Sequence, residues 1–122
     1  MPIMIGIGVD VIEIGRIEDA CHRWSRRFLE RIYSPQEQTL CCNRPHALAA
    51  RFAAKEAVMK ALGTGTHGVS WREIEILRLA SGQPQVRLAG KALQKAQELG
   101  WQEVAVSLSH SREYAVAVVV SS

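Results

Sequence analysis

The chain has 122 residues, of which 48% are hydrophobic and 22% charged, a balance typical of a globular domain and unlike that of a disordered or collagen-like chain. Its 15 Lys and Arg against 12 Asp and Glu give a net charge of +3, which permits a nucleic-acid partner without demanding one. The longest apolar stretch, residues 114–120, is far shorter than the roughly 20 residues that a membrane-spanning helix needs.

The predicted elements begin with a strand over residues 3–12, where two kinds of residue alternate. One face of this strand is apolar and consists of Ile3, Ile5, Ile7, Val9 and Val11. The opposite face carries Met4, Gly6, Gly8 and Asp10. Because two side chains are missing beside the Asp10 carboxylate, the pattern predicts room there for a ligand or for another backbone.

Helical patterns follow this strand. A charged pattern predicts one helix over residues 15–33, and Ser34-Pro35 ends it and can begin a second, short helix. The strongest helical pattern is an alanine-rich stretch over residues 46–62. Gly63 suits the position just after a helix end, so we expect the glycine-rich residues 63–68 to form a loop.

The second half of the chain is dominated by strand patterns. They cover residues 74–79, 85–88, 103–109 and 114–120, and a helical pattern covers residues 91–99. The short link between the last two strands predicts a hairpin. No repeat or linker-like segment interrupts this order. We therefore predict a single α+β domain over residues 1–122, with an antiparallel sheet packed against the long helix.

The cysteines and the N-terminal sequence indicate in which cellular compartment the protein is expected. The chain has three cysteines, of which Cys41 and Cys42 are adjacent, and such a set makes a poor disulfide framework. The apolar N-terminus has no basic flank, and Asp10 interrupts it before any small-residue cleavage site. We therefore expect a cytoplasmic protein. We also expect neither a membrane nor a nucleic acid as its partner, although the net charge alone permits a nucleic acid.

The long predicted helix carries a pair of residues that two hypotheses explain. Glu56 and Lys60 are four residues apart and lie on one helix face, where the simplest interpretation is a surface ion pair worth about 0.2 to 0.5 kcal/mol. The other hypothesis is that the Glu56 carboxylate and the Lys60 ammonium take part directly in the function of the protein. At about 100° per residue, Lys55 falls within the apolar stripe of this helix, so its ammonium must reach solvent or meet an anion.

Several groups together suggest phosphate chemistry, although no Walker loop or complete dinucleotide fingerprint is present. The glycine loop can present backbone N–H groups to a phosphate. His110 can orient a substrate or take a proton near neutral pH, although a lone histidine is more often a packed polar residue. With Asp10, Glu56 and the lysines, this set fits a divalent cation that holds a phosphate-bearing ligand, since Mg²⁺ takes one or two protein carboxylates.

Three blocks of residues resemble one family. They are residues 6–16 (GIGVDVIEIGR), residues 51–65 (RFAAKEAVMKALGTG), and Ser107-Leu-Ser-His110 followed by Tyr114-Ala115. In this order they resemble the stand-alone bacterial 4'-phosphopantetheinyl transferases, the holo-[acyl-carrier-protein] synthase family. The resemblance covers nearly the whole chain.

The resemblance implies transfer of the phosphopantetheine arm of coenzyme A to a serine of apo acyl carrier protein, a step of fatty acid biosynthesis that releases adenosine 3',5'-bisphosphate. It implies Mg²⁺, with Mn²⁺ as an alternative metal, held by Asp10 and Glu56. Glu56, directly or through a metal-held water, is then the general base, and Lys60 offsets phosphate charge. The implied coenzyme A contacts are Arg51, Lys55, Gly63, Thr64, Gly65, Ser109 and His110. Members of this family are similar in forming homotrimers with active sites between subunits.

The resemblance also implies a role for the first predicted helix in binding the carrier protein, because carrier proteins are acidic around the acceptor serine. Four of its arginines are expected to form the docking face: Arg16, Arg23, Arg26 and Arg27. The same arginines leave an alternative open, a non-enzymatic basic module that binds an acidic protein or RNA, although no aromatic platform is evident beside them. A nucleotide hydrolase, which would need only water as acceptor, is a third hypothesis.

Overall fold

The computed structural model describes residues 5–122. Its helices and strands follow the predicted order, except that residues 15–33 form two helices rather than one. The helices are α1 (Ile14–Trp24), α2 (Arg26–Ile32), α3 (Pro35–Cys41), α4 (Pro45–Leu62) and α5 (Gly90–Glu98). The strands are β1 (Gly6–Glu13), β2 (Ile74–Arg78), β3 (Pro84–Leu88), β4 (Val104–His110) and β5 (Tyr114–Ser121), with a 3-10 turn at Trp71–Glu73 before β2. Ile3 and Met4, which the sequence pattern places in the first strand, lie outside the described residues.

Two antiparallel sheets confirm the α+β prediction. β5 lies between β1 and β4 in a three-stranded sheet, whereas β2 and β3 pair with each other in a separate hairpin. In the larger sheet Asp10 lies opposite Ala117, which in turn lies opposite Leu108. The predicted final hairpin is the β4–β5 pair.

The long helix α4 packs against the larger sheet, chiefly against β1 and β5. The approach is closest at Gly8, where a Cβ atom would overlap the carbonyl oxygen of Ala57 and lie 2.8 Å from its carbonyl carbon. The space beside Gly8 is therefore filled by another backbone, one of the two occupants that the sequence allowed. Asp10 follows two residues later on the same strand face, so it also faces α4.

The prediction of one continuous helix over residues 15–33 is wrong. The segment forms α1 and α2, which are separated at Ser25, a residue whose φ of 54° lies in the left-handed region. The Ser25 N–H donates to the Cys21 carbonyl at 2.9 Å and thereby closes α1. The arginines predicted on a single helix therefore belong to two helices.

The boundaries at Ser34 and Gly63 are as predicted. The Ser34 hydroxyl accepts a hydrogen bond from the Glu37 N–H at 3.2 Å, and the Glu37 carboxylate accepts one from the Ser34 N–H at 2.9 Å. This reciprocal pair is a capping box, and it fixes the start of α3. Gly63 ends α4 with a φ of 77°, a conformation that glycine adopts without steric cost.

The face of the larger sheet that points away from α4 is apolar and exposed. Ile7, Val9 and Val11 of β1 are 68%, 52% and 59% exposed, and Val118 and Val120 of β5 are 38% and 41% exposed. A contiguous apolar patch of this kind is typical of an interaction surface. We refer to these five residues as the outer apolar face.

Two further observations concern the compartment. Within residues 5–122, no helix combines the length and the apolar character that crossing a bilayer requires. The three cysteines all lie in this range and are free thiols. Cys42 is exposed, whereas burial raises the pKa of the Cys41 thiol to about 11.

Candidate active site

β1 and α4 bring three of the predicted site residues together. The Lys60 ammonium lies 3.0 Å from Asp10 Oδ1 and donates a second hydrogen bond, also of 3.0 Å, to the Val9 carbonyl. Asp10 and Glu56 line one cavity of about 350 Å³, which Arg16 also lines. We call it the carboxylate cavity. It combines acidic and basic groups in a space large enough for part of a ligand.

The environment of Glu56 is partly desolvated and contains charges of both signs. Burial raises the pKa of its carboxyl above the ordinary value, and the Asp10 carboxylate raises it further, while Lys60 and Arg16 act in the opposite direction. Lys60 forms its ion pair with Asp10 rather than with Glu56. The surface Glu56–Lys60 pair, which is the simplest interpretation of their spacing, is therefore not the pair that forms.

The donor set of the carboxylate cavity fits Mg²⁺. Within residues 5–122, no group of three or more His, Cys, Asp or Glu side chains is arranged to hold a metal. A structural zinc site would need such a group, but Mg²⁺ usually takes one or two carboxylates and completes its shell with water and substrate phosphate. Burial and the nearby Asp10 carboxylate both raise the pKa of Glu56, and a bound cation would oppose both effects.

The loop after α4 uses two of its backbone N–H groups to close the helix. The Gly63 N–H donates to the Lys60 carbonyl and the Thr64 N–H to the Met59 carbonyl, each at 3.1 Å. The Thr64 hydroxyl donates to the Gly65 carbonyl at 3.0 Å. In the described part of the chain, the loop amides that remain available to a phosphate therefore begin at Gly65.

Lys55 lies in the interior, and its burial argues against the predicted contact with coenzyme A. The side chain is completely buried, and Nζ donates to the Glu37 carboxylate at 2.7 Å. Two further hydrogen bonds, of 3.0 and 2.6 Å, go to the carbonyl oxygens of Trp71 and Ile74. All three N–H groups of the ammonium thus have protein partners. Glu37 is the anion that the position of Lys55 in the apolar stripe requires.

Arg51 lines a different cavity from the two carboxylates. It is buried on α4 and lines a space of about 430 Å³ together with Arg78 and Ser107. Its Nε has no hydrogen-bond partner among the described residues. Two arginines that line one cavity suit an anionic ligand.

Ser109 and His110 point to opposite sides of β4, because neighbouring residues of a strand alternate. Ser109 pairs with Val116 on the same side of the sheet as the outer apolar face. His110 stacks on His46, with ring centroids 4.6 Å apart, and both line a shallow cavity of about 520 Å³. The structure therefore does not bring Ser109 and His110 into one pocket within a single chain.

The predicted docking arginines surround one exposed indole. Arg16 and Arg23 line a surface cavity with Trp24, and Arg27 lines a second cavity that Trp24 also borders. The fourth, Arg26, lies 3.9 Å from a glutamate one turn further along α2, in an exposed pair. Within residues 5–122 the other three arginines form no ion pair, so they can meet an acidic partner beside Trp24.

The sequence did not reveal a row of aromatic rings beside the carboxylate cavity. The rings of Phe28, Phe52 and Trp71 stack in this order, with centroids 6.4 and 4.8 Å apart. Phe28 and Phe52 line the carboxylate cavity, and all three residues line an adjoining cavity of about 600 Å³. We call the residues the aromatic row and the space the aromatic cavity. No sequence spacing links them, because they lie on three different elements.

Comparison with known proteins identifies one family over almost the whole chain. The family model of the 4'-phosphopantetheinyl transferase superfamily matches residues 6–119. The chain belongs to this superfamily. A holo-[acyl-carrier-protein] synthase of Dehalococcoides mccartyi is 55% identical to this transferase over 118 residues, which make up 97% of this chain and 98% of that protein.

Solved structures agree with this assignment. The crystal structure of Helicobacter pylori holo-[acyl-carrier-protein] synthase in complex with coenzyme A matches with a TM-score of 0.87 at 37% identity, covering 95% of this chain and 99% of that one. The enzyme of that name from Neisseria meningitidis matches with a TM-score of 0.86 at 39% identity, covering 98% and 99%. These likenesses confirm the predicted α+β fold. They give no support to the alternative of a non-enzymatic basic module.

Proposed function

We propose that this transferase moves the 4'-phosphopantetheine arm of coenzyme A to a serine of an apo acyl carrier protein, as a holo-[acyl-carrier-protein] synthase of fatty acid biosynthesis. The products are the holo carrier protein and adenosine 3',5'-bisphosphate. The observation that carries the proposal is that Asp10 and Glu56 line one cavity while Lys60 forms an ion pair with Asp10. Relatives that match nearly the full chain bear the name of this activity. The cytoplasmic location stays a prediction.

The carboxylate cavity and Lys60, which pairs with Asp10 beside it, offer the groups that this transfer requires. The serine oxygen forms a bond to the β-phosphorus of coenzyme A, and the bond from that phosphorus to the bridging oxygen breaks, so that the bridging oxygen leaves with the bisphosphate. Glu56 takes the proton of the serine hydroxyl, and its raised pKa makes it a better proton acceptor than an ordinary carboxylate. Lys60 offsets the charge that grows on the leaving phosphate.

Asp10 and Glu56 are the residues we assign to Mg²⁺, with Mn²⁺ as an alternative metal. When bound, the cation would neutralise phosphate charge and act as a Lewis acid. The support for this assignment is the pair of carboxylates on one cavity, where burial and the charge of Asp10 both raise the pKa of Glu56.

The coenzyme A contacts in this proposal come from two chains of a homotrimer. They are Arg51, the loop residues Gly63, Thr64 and Gly65, and the strand residues Ser109 and His110. The Arg51 cavity shares no lining residue with the carboxylate cavity, which supports an active site that a second subunit completes. A subunit packed on the outer apolar face would also bury surface that is otherwise exposed.

A mixing experiment tests the intersubunit site. Asp10→Ala and Arg51→Met should each be inactive alone, since each removes one half of every active site. If the halves come from neighbouring chains, trimers reassembled from equal amounts of the two variants should regain roughly a quarter of the wild-type sites. Mixed trimers that are verified by native mass spectrometry yet show no activity would contradict the proposal.

Carrier-protein docking is proposed for the surface around Trp24. The free arginines Arg16, Arg23 and Arg27 would attract an acidic helix. The adjoining aromatic cavity offers an apolar space for a side chain of that helix. This surface leads directly to the carboxylate cavity, because Phe28 lines both cavities.

Release of adenosine 3',5'-bisphosphate distinguishes transfer from hydrolysis. The wild type should release one bisphosphate per holo carrier protein formed, and none with a carrier protein whose acceptor serine is replaced by alanine. Asp10→Ala and Glu56→Ala should release none, although both remain folded by urea titration. Release without a carrier protein would instead favour a nucleotide hydrolase.

A further inference from the structure

A buried ion pair, Glu37 with Lys55, lies outside the proposed chemistry. Both side chains are completely buried, and Lys55 Nζ is 2.7 Å from Glu37 Oε1. Glu37 also accepts hydrogen bonds from the N–H groups of Ser34 at 2.9 Å and of Ile76 at 2.8 Å. The pair therefore joins the start of α3, the middle of α4 and the strand β2 at one point.

The same pair supports the aromatic row. Lys55 donates a hydrogen bond of 3.0 Å to the carbonyl of Trp71, the residue at the start of the 3-10 turn. The Trp71 ring stacks on Phe52 with centroids 4.8 Å apart and an angle of 23° between the rings. Since Phe52 lines the carboxylate cavity, a chain of direct contacts runs from Lys55 to the wall of that cavity.

The pair also fixes the rotation of α4. At about 100° per residue, Lys55 and Ala57 lie about 160° apart around the helix axis, and Glu56 lies between them. The carbonyl of Ala57 is held against Gly8 of β1, and Lys55 is held by Glu37. These two contacts hold the helix on nearly opposite sides. They therefore set its rotation and the direction in which Glu56 points.

Net stability is a poor explanation for such a pair. Replacing a buried ion pair by apolar residues of similar volume is often neutral or stabilising, because the desolvation of two charges opposes their attraction. Its directional hydrogen bonds, by contrast, specify one arrangement of the segments that they join. A role in geometry therefore accounts for these two residues better than a role in stability.

We propose that Glu37 and Lys55 are positioning residues of the transfer, which hold Glu56 towards Asp10 and hold the aromatic row in place without touching coenzyme A. The inference rests on the proposed function of the carboxylate cavity. It replaces the ligand contact that the sequence suggested for Lys55.

The test compares Glu37→Gln, Lys55→Met and the double variant with the wild type. We measure kcat, the KM for coenzyme A and the urea midpoint, and determine rates only where the variant is folded. Both single variants should lower kcat on the order of 10-fold or more, with the KM for coenzyme A within about twofold of the wild type. The double variant should lose no more than the worse single variant, because the two residues act as a unit. Glu30→Gln, which breaks the exposed Arg26–Glu30 pair on α2, is the matched control and should change none of these values.

Two outcomes would overturn the inference. A rise in the KM for coenzyme A in Lys55→Met, with Glu37→Gln unchanged, would show a direct ligand contact. Wild-type kcat and KM in folded variants with only a lowered urea midpoint would show a merely structural role. Glu37→Gln retains the shape of the side chain and carries the test if Lys55→Met does not fold.

A second measurement separates this inference from the proposed function, because it needs no activity. In a nitrogen-15 spectrum, Glu37→Gln should shift the indole resonance of Trp71, which a Trp71→Phe spectrum identifies, and leave those of Trp24 and Trp101 in place. An unshifted Trp71 resonance would overturn the inference even if the transfer activity is confirmed.

Discussion

Replacing Gly8 by alanine perturbs the contact that places Asp10 beside α4. The added Cβ would overlap the Ala57 carbonyl oxygen and lie 2.8 Å from its carbonyl carbon, where about 3.5 to 4.0 Å is ordinary. Strand and helix must therefore separate by about 1 Å. We expect such overpacking to lower the free energy of unfolding by about 1 to 3 kcal/mol. A displacement of about 1 Å at a catalytic group can also lower the rate about 100-fold.

Two assays measure these effects separately. Urea unfolding, followed by tryptophan emission, should show a midpoint lowered by about 1 M, given an ordinary denaturant slope of about 1 to 3 kcal/mol per molar urea. The transfer assay should show a lower kcat at temperatures where the variant is folded. Gly15→Ala is the control, since nothing lies within 4 Å of its added Cβ and alanine is favoured inside α1. The reasoning is refuted if Gly8→Ala unfolds like the wild type and retains its kcat.

Three further predictions concern charge and reactivity. Glu56→Gln should raise the urea midpoint at pH 7 without metal, because a raised pKa means that ionised Glu56 destabilises the folded state. This gain should shrink as the pH falls from the raised pKa of folded Glu56 towards the ordinary carboxyl pKa of the unfolded chain, and equal midpoints at pH 7 would contradict it. Iodoacetamide at pH 8 should modify Cys42 and spare Cys41, since a pKa of about 11 leaves roughly 0.1% thiolate; equal labelling by mass analysis would count against the burial. Arg23→Ala should raise the KM for the carrier protein several-fold at low salt and much less at high salt, whereas the exposed Arg72→Ala should leave it unchanged; equal effects would argue against a docking surface.

Local signals predicted the fold where one residue determines a boundary. The glycine at position 63 and the Ser34-Pro35 pair each have a direct conformational consequence, and both boundaries agree with the structure. The break at Ser25 was missed, because neither glycine nor proline stands there and its φ of 54° is unusual for serine. The division of the strands into two sheets depends on pairing between distant segments, such as β1 with β5, and no local pattern encodes it.

The candidate site could be predicted in part for similar reasons. Asp10 was identifiable because two glycines precede it on one strand face, and Glu56 because a lysine follows it at helical spacing. The need of Lys55 for an anion was also visible. Its partner Glu37, 18 residues away, was not, because only tertiary packing brings the two together. The aromatic row escaped prediction for the same reason.

The most direct test of the central claim is the intact mass of an apo acyl carrier protein after incubation with this transferase, coenzyme A and Mg²⁺. We predict a gain of one phosphopantetheine per carrier protein, no gain when EDTA is present, and no gain with Asp10→Ala. An unchanged mass with several apo carrier proteins and a folded transferase would contradict the account.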